Sequence, residues 1–108
     1  MARNLHHLAE ARSLAIHRVI ATELEASSPV LKKARARVAD WIEDGAVAVE
    51  YARAWQVALS GSLTDLKALL MDPSENARAL RQVSPFAGAV DPRTRWRIWR
   101  EVRRSAGV

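Results

Sequence analysis

The chain contains no cysteine. This excludes disulfides and thiolate metal sites, and it suits a protein of a reducing compartment. Long apolar runs are also missing, since no stretch approaches the roughly 18 apolar residues of a membrane span. The first residues, MARNLHHLAEARS, lack the continuous apolar core of a secretory signal. We therefore expect a cytoplasmic protein without a membrane-spanning segment.

Motifs of catalytic and cofactor-binding sites are missing as well. There is no Gly-x-Ser-x-Gly turn, no glycine-rich phosphate loop and no pair of Glu-x-x-His motifs for a di-metal site. The histidines are His6, His7 and His17, and the first and last lie roughly 16 Å apart along one helix. We expect ordinary surface or boundary histidines, with no catalytic residue, metal or cofactor. A small helical enzyme or cofactor carrier that uses His17 is the least favoured alternative.

A length of 108 residues corresponds to one domain that can bury a core. Apolar residues recur at spacings of three and four, and the periodic segments are separated by capping residues, proline and glycine. No alternating β pattern is present. We expect an all-α, compact single-domain bundle of five to six helices that spans residues 1–108. The predicted helices cover residues 4–26, 29–44, 47–59, 63–70, 73–83 and 92–104.

The formal net charge of +5 belongs to the C-terminal segment. Residues 92–108 carry six arginines and one acid, whereas the rest of the chain has eleven basic and eleven acidic residues. A basic helix can neutralise phosphates or present a surface to an acidic protein, and charge alone does not choose between them. One side of the last helix carries four arginines, which we call the arginine row: Arg93, Arg97, Arg100 and Arg104.

The same helix contains Trp96 and Trp99. Large aromatics dominate small cores, so we expect both to pack inside together with Val102. In the alternative, one tryptophan and the arginine row form an interface, since Trp and Arg are enriched at binding hot spots. Buried tryptophans leave no ring for stacking on single-stranded nucleic acid, which favours a protein partner. The lack of a helix-turn-helix pattern and of a second positive surface favours the same choice.

The segment before this helix, SPFAG at residues 84–88, is unusual, and we call it the SPFAG loop. The residue before Pro85 is forced towards an extended backbone, and Phe86 stands alone among small residues. A lone exposed phenylalanine is costly without a partner, so we expect it to fill the bundle. The alternative is that it projects into a partner.

The stretch LRQVSPFAGAVDPRTRWRIWREVRR, residues 80–104, resembles the C-terminal signature of a family of small, all-helical bacterial proteins. RSLAIHR, residues 12–18, and residues 34–41 resemble the same pattern, so the likeness spans most of the chain. Short genes of this kind lie beside toxin genes, and the resemblance therefore implies an antitoxin-like role. The residues that match the signature are Leu80, Arg81, Gln82, Ser84, Pro85, Phe86, Ala87, Gly88, Arg95 and Trp96.

These observations predict a non-enzymatic protein–protein interaction module, an antitoxin that binds and neutralises a partner toxin enzyme. The SPFAG loop and the arginine row would cover an acidic or nucleotide-binding active site. The alternative is an RNA- or DNA-binding regulator that uses the arginine-rich last helix. The oligomeric state stays open. The candidate partner-binding residues are Arg81, Ser84, Phe86, Arg93, Arg97, Arg100 and Arg104.

Overall fold

A computed structural model describes the backbone of residues 2–107 and the side chains of residues 7–107. Over that part the chain forms six α-helices and no strand, which confirms the predicted all-α bundle. None of the helices described is both long and apolar enough to cross a membrane. The helices are α1 (Ala2–Glu23), α2 (Pro29–Asp44), α3 (Val49–Ser60), α4 (Leu63–Met71), α5 (Glu75–Arg81) and α6 (Pro92–Ser105).

The helix bounds differ from the prediction by two or three residues at α1, α3 and α5, and the capping hydrogen bonds differ at the starts of α2 and α5. α5 begins after Ser74, whose hydroxyl accepts the amide N–H of Ala77 at 3.3 Å. The predicted cap, Asp72, instead accepts the amide N–H of Ser74 at 2.8 Å. Ser28 precedes α2 as predicted, but its hydroxyl accepts the amide N–H of Glu25 at 2.8 Å. In both places a local side-chain bond competes with the expected cap, and the chain still breaks where the sequence indicates.

Helix α1 is the longest element, and it packs against α4, α5 and α6. α2 packs against α3, which also contacts α4 and α5. Among the described helices, α6 contacts α1 alone, so most of its surface faces outward. The large apolar side chains buried between these helices are Ile20, Leu24, Leu31, Val38, Trp55, Leu59, Leu66, Leu70, Phe86 and Ile98.

Candidate functional site

The SPFAG loop is fixed to the bundle by its own phenylalanine. Phe86 is 2% exposed, and its ring lies edge-on to that of Trp55, with the ring centroids 6.0 Å apart. Gly88 has φ +82°, a left-handed conformation that favours glycine and turns the chain towards α6. The prediction that Phe86 fills the bundle is confirmed. Its place among the partner-binding residues is corrected, because a side chain buried in the core offers a partner no surface.

His17 of α1 holds the loop from one side. Its Nδ1 lies 2.7 Å from the carbonyl oxygen of Ser13, and its Nε2 lies 2.8 Å from the hydroxyl oxygen of Ser84. A carbonyl oxygen only accepts, so Nδ1 carries the hydrogen and Nε2 accepts the Ser84 hydroxyl proton. The same hydroxyl oxygen accepts the amide N–H of Phe86 at 3.1 Å. Ser84, a predicted contact residue, is therefore engaged inside the chain.

The burial of His17 corrects the prediction of ordinary surface or boundary histidines. The residue is 6% exposed, whereas His7 is exposed. His6 lies outside the side chains that the structure describes. Desolvation lowers the pKa of His17, the hydrogen bond to the Ser13 carbonyl raises it by less, and the charge of Arg81 adds a further lowering. The imidazole is therefore held in its neutral form.

Arg37 of α2 holds the loop from another side. Its guanidinium donates to the carbonyl oxygens of Pro85 and Ala87, at 3.3 and 3.0 Å. The three segments that carry the family resemblance thus meet at the SPFAG loop, since His17 lies in residues 12–18 and Arg37 in residues 34–41.

Arg81, another predicted contact residue, is 6% exposed. Its Nη1 donates to the carbonyl oxygens of Asp72 and Leu69, which ties α5 to the end of α4. Its buried Nε has no hydrogen-bond partner in the described part of the chain. Desolvation lowers the pKa of the guanidinium, and the charge of Asp72 partly offsets this. The assignment of Arg81 to a partner surface is corrected, because burial and bonds to the backbone make it a structural residue.

The arginine row is exposed along its whole length. It spans roughly 16 Å of helix α6. Within residues 7–107 the one ion pair joins Arg78 to Glu10 at 3.4 Å, so no arginine of the row has an acidic partner there.

The start of α6 is fixed by Asp91, whose carboxylate accepts the amide N–H of Thr94 at 2.9 Å and its hydroxyl proton at 2.8 Å. These hydrogen bonds lower the pKa of Asp91.

The contact between α6 and α1 differs from the prediction. Ile98 is 4% exposed and faces the core, whereas Trp96 is 57% exposed. The two lie about 200° apart around the helix, so burying one exposes the other. The prediction that Trp96 packs inside is wrong, while Trp99 is half-buried and Val102 packs against the core.

Trp96 and Trp99 form a stack at the outer edge of this contact. Their ring centroids are 5.0 Å apart and their planes differ by 17°. The guanidinium carbon of Arg103 lies 4.7 Å from the centroid of the Trp99 ring, a cation–π distance. Within residues 7–107, Trp99 therefore has two stacking partners and Trp96 has one, and Trp96 is the more exposed of the two rings.

A groove of about 500 Å³ runs between α1 and α6 beside this stack. Two neighbouring concavities, of about 350 and 150 Å³, share Arg12 with it. The larger follows the SPFAG loop and the smaller extends to Arg103. We call the three together the trough, and no aspartate or glutamate of residues 7–107 lines it. The central groove is lined by Arg12, Ile16, Pro92, Arg95, Trp96 and Trp99.

The side-chain inventory bears on what these surfaces can do. Residues 7–107 contain no cluster of histidine and carboxylate side chains that could hold a metal ion. The exposure of Trp96 removes the argument that no aromatic ring is free for stacking, and Arg12 brings positive charge from α1 beside α6.

Comparison of the chain with protein-family models, curated proteins and solved structures gives no match.

Proposed function

We propose that this protein is a non-enzymatic interaction module of the cytoplasm that binds an acidic partner protein, acting as an antitoxin that restrains a toxin enzyme. The observation that supports the proposal is the arginine row, whose four exposed side chains have no acidic partner within residues 7–107. The planar guanidinium of arginine binds one carboxylate through two parallel hydrogen bonds, and arginine is enriched among binding hot spots.

Occlusion is the mechanism that fits this surface. Among the described helices α6 contacts α1 alone, and the row is exposed, so a partner can lie along the row without displacing another of these helices. Carboxylates of the partner then replace water around the guanidinium groups. An enzyme whose active site is acidic loses access to its substrate when the row covers it.

The SPFAG loop has an indirect part in this proposal. Its phenylalanine and its hydrogen bonds to His17 and Arg37 fix the loop to the core, and Val90, which follows it, is 9% exposed. Asp91 then caps α6. The loop thereby sets the position and direction of the helix that presents the arginine row, while contributing few side chains to the contact itself.

A capture experiment tests the proposal. Tagged full-length protein is used to recover binding partners from the native host, with and without nuclease treatment. We expect one stoichiometric protein to survive nuclease and to be lost, about tenfold or more, with the double variant Arg97→Ala and Arg104→Ala. The matched control is Lys32→Ala with Lys33→Ala, which removes the same charge from an exposed part of α2. Equal recovery by all three proteins contradicts the proposal.

A further inference from the structure

The trough contains an aromatic ring, that of Trp96, which is more than half exposed. Trp99 stacks against both Trp96 and Arg103, whereas Trp96 is 57% exposed and has Trp99 as its stacking partner. The ring of Trp96 is therefore in part stacked on Trp99 and in part accessible from the groove. Such an accessible ring is typical of platforms on which nucleic-acid bases stack, since every base has a planar π surface.

The walls around this ring are positive, and their described residues include no acid. Arg12 and Arg95 are both exposed and line the same groove of about 500 Å³ as Trp96. Small-ligand sites span about 300–1,000 Å³, so the groove is large enough for one nucleotide. The neighbouring concavities continue the trough on both sides without an acidic lining residue. The trough therefore suits an anion that also carries a flat ring.

Charge and shape decide which occupant fits. A second copy of the chain would bring another strongly basic α6 to this surface, and like charges repel. An acidic peptide supplies charge, but it supplies a ring only where its own sequence places one. A nucleotide strand supplies a ring and a phosphate in every unit. In a duplex the bases are stacked inside and cannot reach Trp96.

We propose that the trough binds single-stranded nucleic acid, with a base stacked on Trp96 and phosphates on Arg12 and Arg95. The proposal does not rest on the function proposed for the arginine row. Around the axis of α6, the row and the trough are centred about 110° apart. Arg93 and Arg100 neighbour Trp96 at three and four positions, whereas Arg97 and Arg104 lie about 100° and 80° from it and do not line the trough. The row is therefore altered at Arg97 and Arg104, which leaves the residues of the trough in place.

Fluorescence anisotropy with labelled oligouridylate and oligothymidylate of about ten nucleotides tests the proposal on the full chain. Trp96→Ala is expected to weaken binding by about tenfold, because one stacked base is lost, and Trp96→Phe to restore most of it. Arg12→Ala with Arg95→Ala is expected to lower the slope of log affinity against log salt by about 1.4, since each phosphate contact to a single strand contributes about 0.7.

The controls separate this site from general attraction to a basic protein. Lys32→Ala with Lys33→Ala and Arg97→Ala with Arg104→Ala each remove two charges outside the trough, and both are expected to leave the Trp96 effect and most of the salt slope unchanged. Circular dichroism checks that each variant is folded. Trp96 is largely exposed, so its replacement is compatible with the fold.

Four results would overturn the proposal. The first is that no oligonucleotide binds, and the second is that Trp96→Ala binds as tightly as the unaltered chain. The third is a salt slope that falls as much in the arginine-row variant as in the Arg12 and Arg95 variant. The fourth is that a duplex or polyglutamate binds as tightly as the single-stranded oligonucleotides. The capture of an acidic partner by the arginine row is measured independently, so either proposal can fail while the other stands.

Discussion

The Nε2 atom of His17 lies 2.8 Å from the hydroxyl oxygen of Ser84, a residue 67 positions further along the chain. Through this bond the middle of α1 holds the loop that leads into α6. Because the His17 ring is buried and its Nδ1 donates to the Ser13 carbonyl, the second nitrogen must accept a proton from Ser84. Protonation of the ring would turn Nε2 into a donor, leave the Ser84 hydroxyl hydrogen without this acceptor, and place a charge in the interior.

Stability is therefore expected to fall when the pH drops below the ordinary histidine value. Burial lowers the pKa of His17 from 6.5, so the unfolded chain binds the proton more tightly than the folded chain does. The stabilising effect is complete above that value and is lost as the pH falls through the lowered pKa. Urea unfolding measured between about pH 5 and pH 7.5 checks this.

The variant His17→Gln is the matched test, because it removes the titrating group. Its free energy of unfolding is expected to depend less on pH over the same range than that of the unaltered chain. A free energy of unfolding that stays constant or rises as the unaltered chain is acidified from pH 7 would show that His17 is not held neutral.

Replacement of Ser84 by alanine should destabilise the fold by about 1–3 kcal/mol, because it leaves the buried Nε2 of His17 without a donor. The amide N–H of Phe86, which donates to the Ser84 hydroxyl, would lose its partner at the same time. Ser60→Ala is a suitable control, since the Ser60 hydroxyl donates to a backbone carbonyl on an exposed surface. We expect the control to change the free energy of unfolding by less than about 0.5 kcal/mol. Equal effects of the two substitutions would contradict the assigned role of Ser84.

Phe86→Ala should cost about 3–5 kcal/mol, because it empties a site in the core against Trp55. The free energy of unfolding of such domains is about 5–15 kcal/mol in total, so the milder Phe86→Leu is the more informative variant for binding studies. Folded Phe86→Leu protein is expected to capture the partner as well as the unaltered chain does, since the ring does not reach the surface. A loss of capture in a folded variant would contradict this expectation and show that Phe86 affects the interface directly or through the position of α6.

The contact between α6 and α1 predicts losses of stability of very different size for two nearby apolar residues. Ile98→Ala should destabilise the protein by about 2–5 kcal/mol, because Ile98 is the buried residue of this helix. Trp96→Ala removes a larger side chain, yet we expect a loss below about 1 kcal/mol because the ring is 57% exposed. Thermal or urea unfolding of the two variants side by side would reverse this order if Trp96 were the core residue.

Local sequence pattern was sufficient to predict the helices and their breaks. Proline, glycine and capping residues lie at the ends of the apolar periodic segments, so helix number and order follow from neighbours along the chain. Gly45, for example, ends α2 with φ 72°, a conformation that the pattern anticipates.

The face of α6 that is buried could not be predicted in the same way. Its apolar residues Trp96, Ile98, Trp99 and Val102 cover about 160° of the helix surface, more than one neighbouring helix can bury. Because α6 meets α1 alone among the described helices, only a narrow stripe around Ile98 is covered and Trp96 is left outside.

Long-range polar contacts also escaped prediction. Arg37 looks like part of a solvated face from its neighbours in sequence, yet it donates to carbonyl groups 48 and 50 positions away. Arg81 and His17 likewise find their environment through tertiary packing. No local spacing reports such contacts, because their partners are backbone groups that any residue carries.

The affinity of the captured partner for the purified protein tests the central claim most directly. Isothermal titration is performed with the unaltered chain, with Arg97→Ala plus Arg104→Ala, and with the charge-matched Lys32→Ala plus Lys33→Ala. If the arginine row binds the partner, the row variant has a Kd about tenfold or more higher, while the Kd of the lysine variant stays close to that of the unaltered chain. Equal affinities in all three proteins would contradict the account and show that the partner binds elsewhere.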